Sequence, residues 1–167
     1  MPLLKNGDAV EDNWAVIADD APVPADRPAV ISLDRWQAER ASFDGRNAPL
    51  GVRLKSSQLV DTVLADLDRF SLVAIEFPKF RDGRGFSTGR LLRERHGYQG
   101  EIRAVGHVIP DQYLFLKRCG FDTVEAPEGT NLDSWKNALT EMTVAYQPAV
   151  GDDQPLSLLR RRLAQQG

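Results

Sequence analysis

The chain has 167 residues, which suits one domain, and at 42% hydrophobic it can fill a core. Its formal net charge of -3 excludes a global attraction to nucleic acid or to an anionic membrane, so an anion must be held locally. The single cysteine, Cys119, excludes an internal disulfide and a four-thiolate metal centre.

The start, "MPLLKNGDAVEDNW", has no signal-peptide pattern. No stretch approaches the roughly 18 apolar residues of a membrane helix. The expected location is the cytoplasm, with neither nucleic acid nor membrane as a partner. Turn residues at Asn6-Gly7 and Asp12-Asn13 separate short apolar runs, so this segment reads as a small hairpin or an added edge strand. The proline-rich "APVPADRP" reads as a connector, so residues 1–28 form a hairpin and connector ahead of the main body.

From Ala29 a strand and a helix alternate. "AVISL" leads into "DRWQAERASF", with Ser32 or Asp34 as its cap. "LGVRL" is the second strand. Ser56 and Ser57 precede a helix whose apolar face carries Leu59, Val60, Val63, Leu64 and Leu67. "SLVAIEF" is the third strand, and its helix ends near Gly97. "EIRAVG" is the fourth, followed by a helix from about Pro110 to Gly120. "FDTVEA" is the fifth. Its helix is striped by Leu132, Trp135, Ala138, Leu139 and Met142, with Asn131 or Asp133 as cap. Beyond it, "TVAYQPAV" reads as a sixth strand or an extended arm. Leu156, Leu159 and Leu163 stripe a tail helix within residues 150–167.

The reading is therefore a single α/β domain over residues 1–167. It has about five βα units and a mostly parallel sheet, because connections that each contain a helix favour parallel neighbours. Five units are too few for an eight-stranded barrel of at least about 200 residues, which leaves an open sheet or a partial βα-barrel.

In such a sheet, ligands sit beyond the carboxyl ends of the strands. The third turn, "FPKFRDGRGFST", is the richest there. Lys79, Arg81 and Arg84 offer charge, Gly83 and Gly85 offer close backbone approach, and Ser87 or Thr88 offers a helix cap. This group reads as anion-binding, or as a tight turn whose arginines pair with Asp82 and Glu94. Asp82 would orient an arginine or act as an acid or base. His107 and Asp111, on the next turn, complete the candidate catalytic set. No metal spacing and no nucleophile–histidine–carboxylate set can be identified. Cys119, before Gly120 at a helix end, reads as a small buried apolar residue, and Trp36, Trp135 and Phe115 as core. The glycines do not complete GxGxxG, so no dinucleotide fingerprint is present, and the cofactor is unknown.

The stretch "FPKFRDGRGFSTGRLLRERHGYQGEIRAVGHVIPDQYLFLKRCGFDTVE", with Gly7 to Trp14, "LGVRL" and "AYQP", resembles the bacterial DUF934 family. Its most specific motifs are Asp82-Gly83-Arg84-Gly85, Arg103-Ala104-Val105-Gly106 and Arg118-Cys119-Gly120-Phe121. The resemblance implies a place in sulfur assimilation. Genes of this family commonly lie beside those for assimilatory sulfite reductase and adenylyl-sulfate reductase, which become the expected partners beside a small oxyanion. It brings no established activity or catalytic residue. Where many members carry Gly-Asp, this chain has Gly106-His107; Asp111-Gln112 is retained. Two functions stay open. One is an accessory factor of sulfite reduction. The other is a small enzyme acting on an anionic molecule at the rim around Arg81, Asp82, Arg84 and Asp111.

Overall fold

The computed structural model describes residues 1–79 and 82–140. The expected strand or arm after Met142 and the tail helix lie outside the described residues.

Asn6 and Gly7 take positive φ angles of 53° and 90°, which turns β1 (Leu3–Lys5) back on β2 (Asp8–Val10). β1 then pairs antiparallel with β8 (Thr123–Glu125), matching Leu4 to Val124. The other strands are β3 (Ala15–Val16), β4 (Ala29–Ser32), β5 (Leu50–Leu54), β6 (Leu72–Phe77) and β7 (Glu101–Gly106). They pair in parallel, each with its neighbour in sequence, and β7 pairs in parallel with β8. The order across the sheet is β2-β1-β8-β7-β6-β5-β4-β3. This is the mostly parallel α/β architecture expected, with the hairpin added at one edge, and the sheet is curled into a half-barrel.

The curl follows from the chain itself. A flat sheet of this strand count would hold its edges roughly 34 Å apart at about 4.8 Å per strand. Yet edge strands β2 and β3 are joined only by Glu11–Trp14, and such a link reaches about 17 Å when extended. The edges must bend toward one another. The link crosses the concave face as a strap. Asp12 Oδ2 accepts from Arg103 Nη1 at 2.8 Å, and Trp14 packs against Val30, Leu72, Ala74 and Val105.

Strand alternation divides the two faces. Val52, Leu54, Val73, Ile75, Phe77, Ile102 and Ala104 join the larger core beneath the helices. The helices are α1 (Leu33–Glu39), α2 (Arg84–Arg90), α3 (Tyr113–Arg118) and α4 (Leu132–Ala138). Ser32 Oγ accepts from the Arg35 amide and caps α1, and Asn131 caps α4 through the Asp133 amide. Trp36 and Trp135 are buried in this core. Trp36 Nε1 donates to Asp66 Oδ2 at 2.9 Å, which satisfies its one polar atom. Cys119 is also buried, and burial pushes its thiol up to about 11.

Three expectations change. The helix after Ser57 is replaced by 3₁₀ turns at Val60–Thr62 and Leu64–Arg69. Val60, Asp61, Thr62, Val63, Asp66 and Asp68 are weak helix formers, and the apolar stripe was incomplete, since Leu59 is 69% exposed. Phe115 is not core. It is 45% exposed and rests its ring on Phe86, with centroids 4.8 Å apart. α2 starts at Arg84, with Gly83 as its N-cap, and not at a Ser87 or Thr88 cap. The Asp82 carboxylate takes the Arg84 amide at 3.2 Å and starts the helix early.

Candidate functional site

The carboxyl ends of β4, β5, β6 and β7 form one rim, because each strand is in parallel register with the next. Past β5, Lys55 donates to Asp34 Oδ2 at 2.6 Å, and Gln58 donates to the other oxygen of that carboxylate at 2.8 Å. This ties the β5 turn to the first turn of α1. The Asp34 hydrogen bond raises the Lys55 pKa, so its ammonium stays charged.

Past β6 lies the third turn. Arg84 grips Asp82 with a fork, Nε to Oδ1 at 2.9 Å and Nη2 to Oδ2 at 2.7 Å. Arg84 Nη2 also donates to Ser56 Oγ at 3.2 Å. The Arg84 hydrogen bonds, assisted by Ser56, hold the Asp82 carboxyl well below the usual carboxylate range. Asp82 therefore orients an arginine. It is also a poor proton acceptor near neutral pH. Of the motif's two glycines, Gly85 acts in packing. A Cβ on Gly85 would lie 2.6 Å from Phe77 Cζ, and one on Gly89, a turn later on the same face, would strike Phe121. α2 can thus lie close against the sheet. Gly83 has open space around it and an ordinary φ of -81°. Ser87 is exposed one turn into α2, Lys79 is exposed on the rim, and Arg81 lies outside the described residues.

β6 and β7 end side by side, Phe77 opposite Gly106. Gly106 takes φ 95°, where a side chain would meet the Phe77 carbonyl at 2.6 Å, and the His107 amide donates to that carbonyl at 2.7 Å. The His107 side chain is exposed, as is Asp111 in the following 3₁₀ turn, Pro110–Gln112. The rim thus gathers Lys79, Asp82, Arg84 and His107 around the ends of two adjacent strands.

The concave face carries charges that sequence reading passed over. On β5, Gly51 and Arg53 point away from the helices; so do Ala74 and Glu76 on β6, and Glu101 and Arg103 on β7. Arg103 is 1% exposed and is met by Asp12 at 2.8 Å, Glu101 at 3.0 Å and Glu125 at 3.7 Å. Burial opposes its charge, but the Asp12 and Glu101 contacts outweigh that and raise its pKa. Burial pushes the Glu125 carboxyl up, with Arg103 opposing. The signal in the sequence was a charged residue inside three adjacent buried parallel strands, "LGVRL", "AIEF" and "EIRAVG", where apolar runs are the norm.

Nearer the mouth the concave face opens into a cavity of about 430 Å³. Val16, Val30, Ser32, Arg53, Lys55 and Glu76 line it. Arg53 Nε lies 3.4 Å from Glu76 Oε2, and its side chain is 38% exposed. A larger cavity, about 650 Å³, lies at the opposite end, around Phe70, His96 and Tyr98. Size alone does not make it the site. It opens at the amino ends of the strands, where conserved chemistry is rare in βα folds, and the Tyr98 hydroxyl is already committed to the Phe70 carbonyl at 2.9 Å. Among the described residues, no group of three or more His, Cys, Asp and Glu side chains is placed to hold a metal ion.

A family model described as "Bacterial protein of unknown function (DUF934)" matches residues 51–157, from β5 through all later elements. No curated protein matches the chain. Among the described residues, no helix is long and apolar enough to cross a membrane.

Proposed function

The chain belongs to the bacterial DUF934 family, and from that premise we propose that it serves assimilatory sulfite reduction as an accessory factor that holds a small anionic ligand at the mouth of its half-barrel. The sulfur-assimilation part is supported by the gene neighbourhood that the family resemblance implies. The ligand part is carried by Arg53. Among the described residues its guanidinium has one ion-pair partner, at 3.4 Å, and it opens on a cavity of about 430 Å³. A guanidinium has five donors in a fixed fork, so one long contact leaves most of them for a guest.

An accessory role has more support than a catalytic one at Asp82, His107 and Asp111. Asp82 is bound by Arg84 and held low, so it offers little basicity. Sulfite reductase and adenylyl-sulfate reductase are the partners this reading expects.

A deletion strain tests the pathway part. It should fail to grow on sulfate or sulfite as sole sulfur source and should grow on sulfide or cysteine. Growth on sulfite equal to the parent overturns the proposal. Complementation with an Arg53→Ala allele tests the ligand part separately. Full rescue removes the role of the mouth and leaves the pathway assignment standing.

A further inference from the structure

We infer that the mouth cavity takes a zwitterionic α-amino acid with a small side chain, and not a bare inorganic oxyanion. This rests on the reading of Arg53 as the group that holds the ligand's negatively charged end.

The cavity is not simply cationic. Glu76 stands 3.4 Å from Arg53, on the neighbouring strand and the same face. Asp19 lines the same space, with its Oδ1 held by the Ser32 hydroxyl at 2.6 Å. The ammonium of Lys55, on the same wall, is hydrogen-bonded to Asp34 at 2.6 Å and also feels Asp19 and Glu76, so this one cation is shared among three carboxylates. An oxyanion seated on Arg53 would therefore bring its negative charge close to Glu76 and Asp19, with little further cation to offset it. A guest carrying both signs removes the conflict. Its carboxylate takes the Arg53 fork, and its ammonium, with three donors, takes Glu76 and Asp19. These two groups of an α-amino acid are attached to one carbon, which matches the adjacency of Arg53 and Glu76. Val16, Ile17 and Val30 supply an apolar wall for a short side chain.

Arg103 provides an internal comparison. It stands on the same concave face, two strands away, but three carboxylates surround it and the strap closes over it. That arginine is saturated and buried. Among the described residues Arg53 has one long ion-pair contact, and it faces the opening. The fold thus completes one charge cluster internally and leaves the other half-built.

Titration of the full chain, followed by amide NMR shifts at Arg53 and Glu76, tests this. The probes are L-alanine, L-serine and L-cysteine, then propionate without the ammonium, ethylamine without the carboxylate, and sulfite and sulfate. The amino acids should bind, and loss of either charged group should weaken binding by about tenfold or more. Glu76→Gln should erase the advantage of alanine over propionate. Arg53→Gln should abolish binding of both, while its amide spectrum away from the mouth matches the parent. Arg53→Lys, which keeps the charge but not the fork, should bind more weakly than the parent. If sulfite or sulfate binds in an Arg53-dependent way and the amino acids do not, the zwitterion inference is overturned and the anion reading survives. If no probe binds, both fall. An unchanged alanine-to-propionate ratio in Glu76→Gln also overturns the inference.

Discussion

Replacing Arg103 by methionine keeps a long buried stem and removes the guanidinium at the centre of the concave face. Asp12, Glu101 and Glu125 would then face one another without their shared cation. Breaking a buried ion cluster by deleting one partner costs about 3–5 kcal/mol. These carboxylates keep side-chain exposures of 30%, 24% and 15%, so water repays part of the loss and the lower end applies, about 3 kcal/mol. For a domain of this size that is a drop of about 6–12 °C in Tm. Urea unfolding of Arg103→Met, Asp12→Asn and the double variant measures it, with the m-value checking that the unfolded state is unchanged. Asp12 sits on the strap, so the double-mutant cycle isolates the hold of the strap on the sheet, expected at about 1 kcal/mol or more. A loss under about 1 kcal/mol in Arg103→Met, or no coupling to Asp12, refutes the idea that this cluster fastens the strap.

Gly85→Ala should cost about 1–3 kcal/mol in urea unfolding, because its Cβ would sit 2.6 Å from Phe77; a neutral result would place the glycine's role elsewhere. In Arg84→Ala, carboxyl NMR should show the Asp82 pKa climbing back toward 3.8, since the Arg84 hydrogen bond is the main cause of its depression. The stability that this pair contributes is present above 3.8 and lost as pH falls through the folded value, so the variant and parent should converge in acid. Glu125 has the opposite sign. Its folded pKa is raised by burial, so its contribution is present below 4.5 and lost as pH rises through the folded value. Parent stability measured against Glu125→Gln should therefore decline as pH climbs above 4.5, and a constant difference would show that burial is not the ruling influence.

Local chemistry was the most legible part of the fold. Asn6-Gly7 announced the hairpin, and Ser32 and Asn131 announced helix starts, because each signal acts within a few residues. The alternation of strand and helix likewise led to a parallel sheet in sequence order. Signals that depend on distant partners were less legible. The glycines of Asp82-Gly83-Arg84-Gly85 looked like room for a ligand, but Gly85 makes room for Phe77, a packing partner that periodicity cannot supply. The strap was hidden because Asp12 and Arg103 are separated by 91 positions. Arg53 and Glu76 interrupt apolar strands, and the sequence reading gave them no role. Only the curl of the sheet shows that their face is a cavity wall.

The hairpin has a consequence for the order in which the fold is completed. β1 pairs with β2 on one side and with β8 on the other, the Gly7 amide donates to the Tyr113 hydroxyl, and Lys136 reaches back to Asp8. The hairpin thus finds these neighbours more than a hundred positions further along the chain. Without β8, Leu3 and Leu4 have only their hairpin partner β2, and the long loop closure places their docking late in acquisition of the native state. A chain truncated before β8 should leave the hairpin undocked and open to chaperones and proteases.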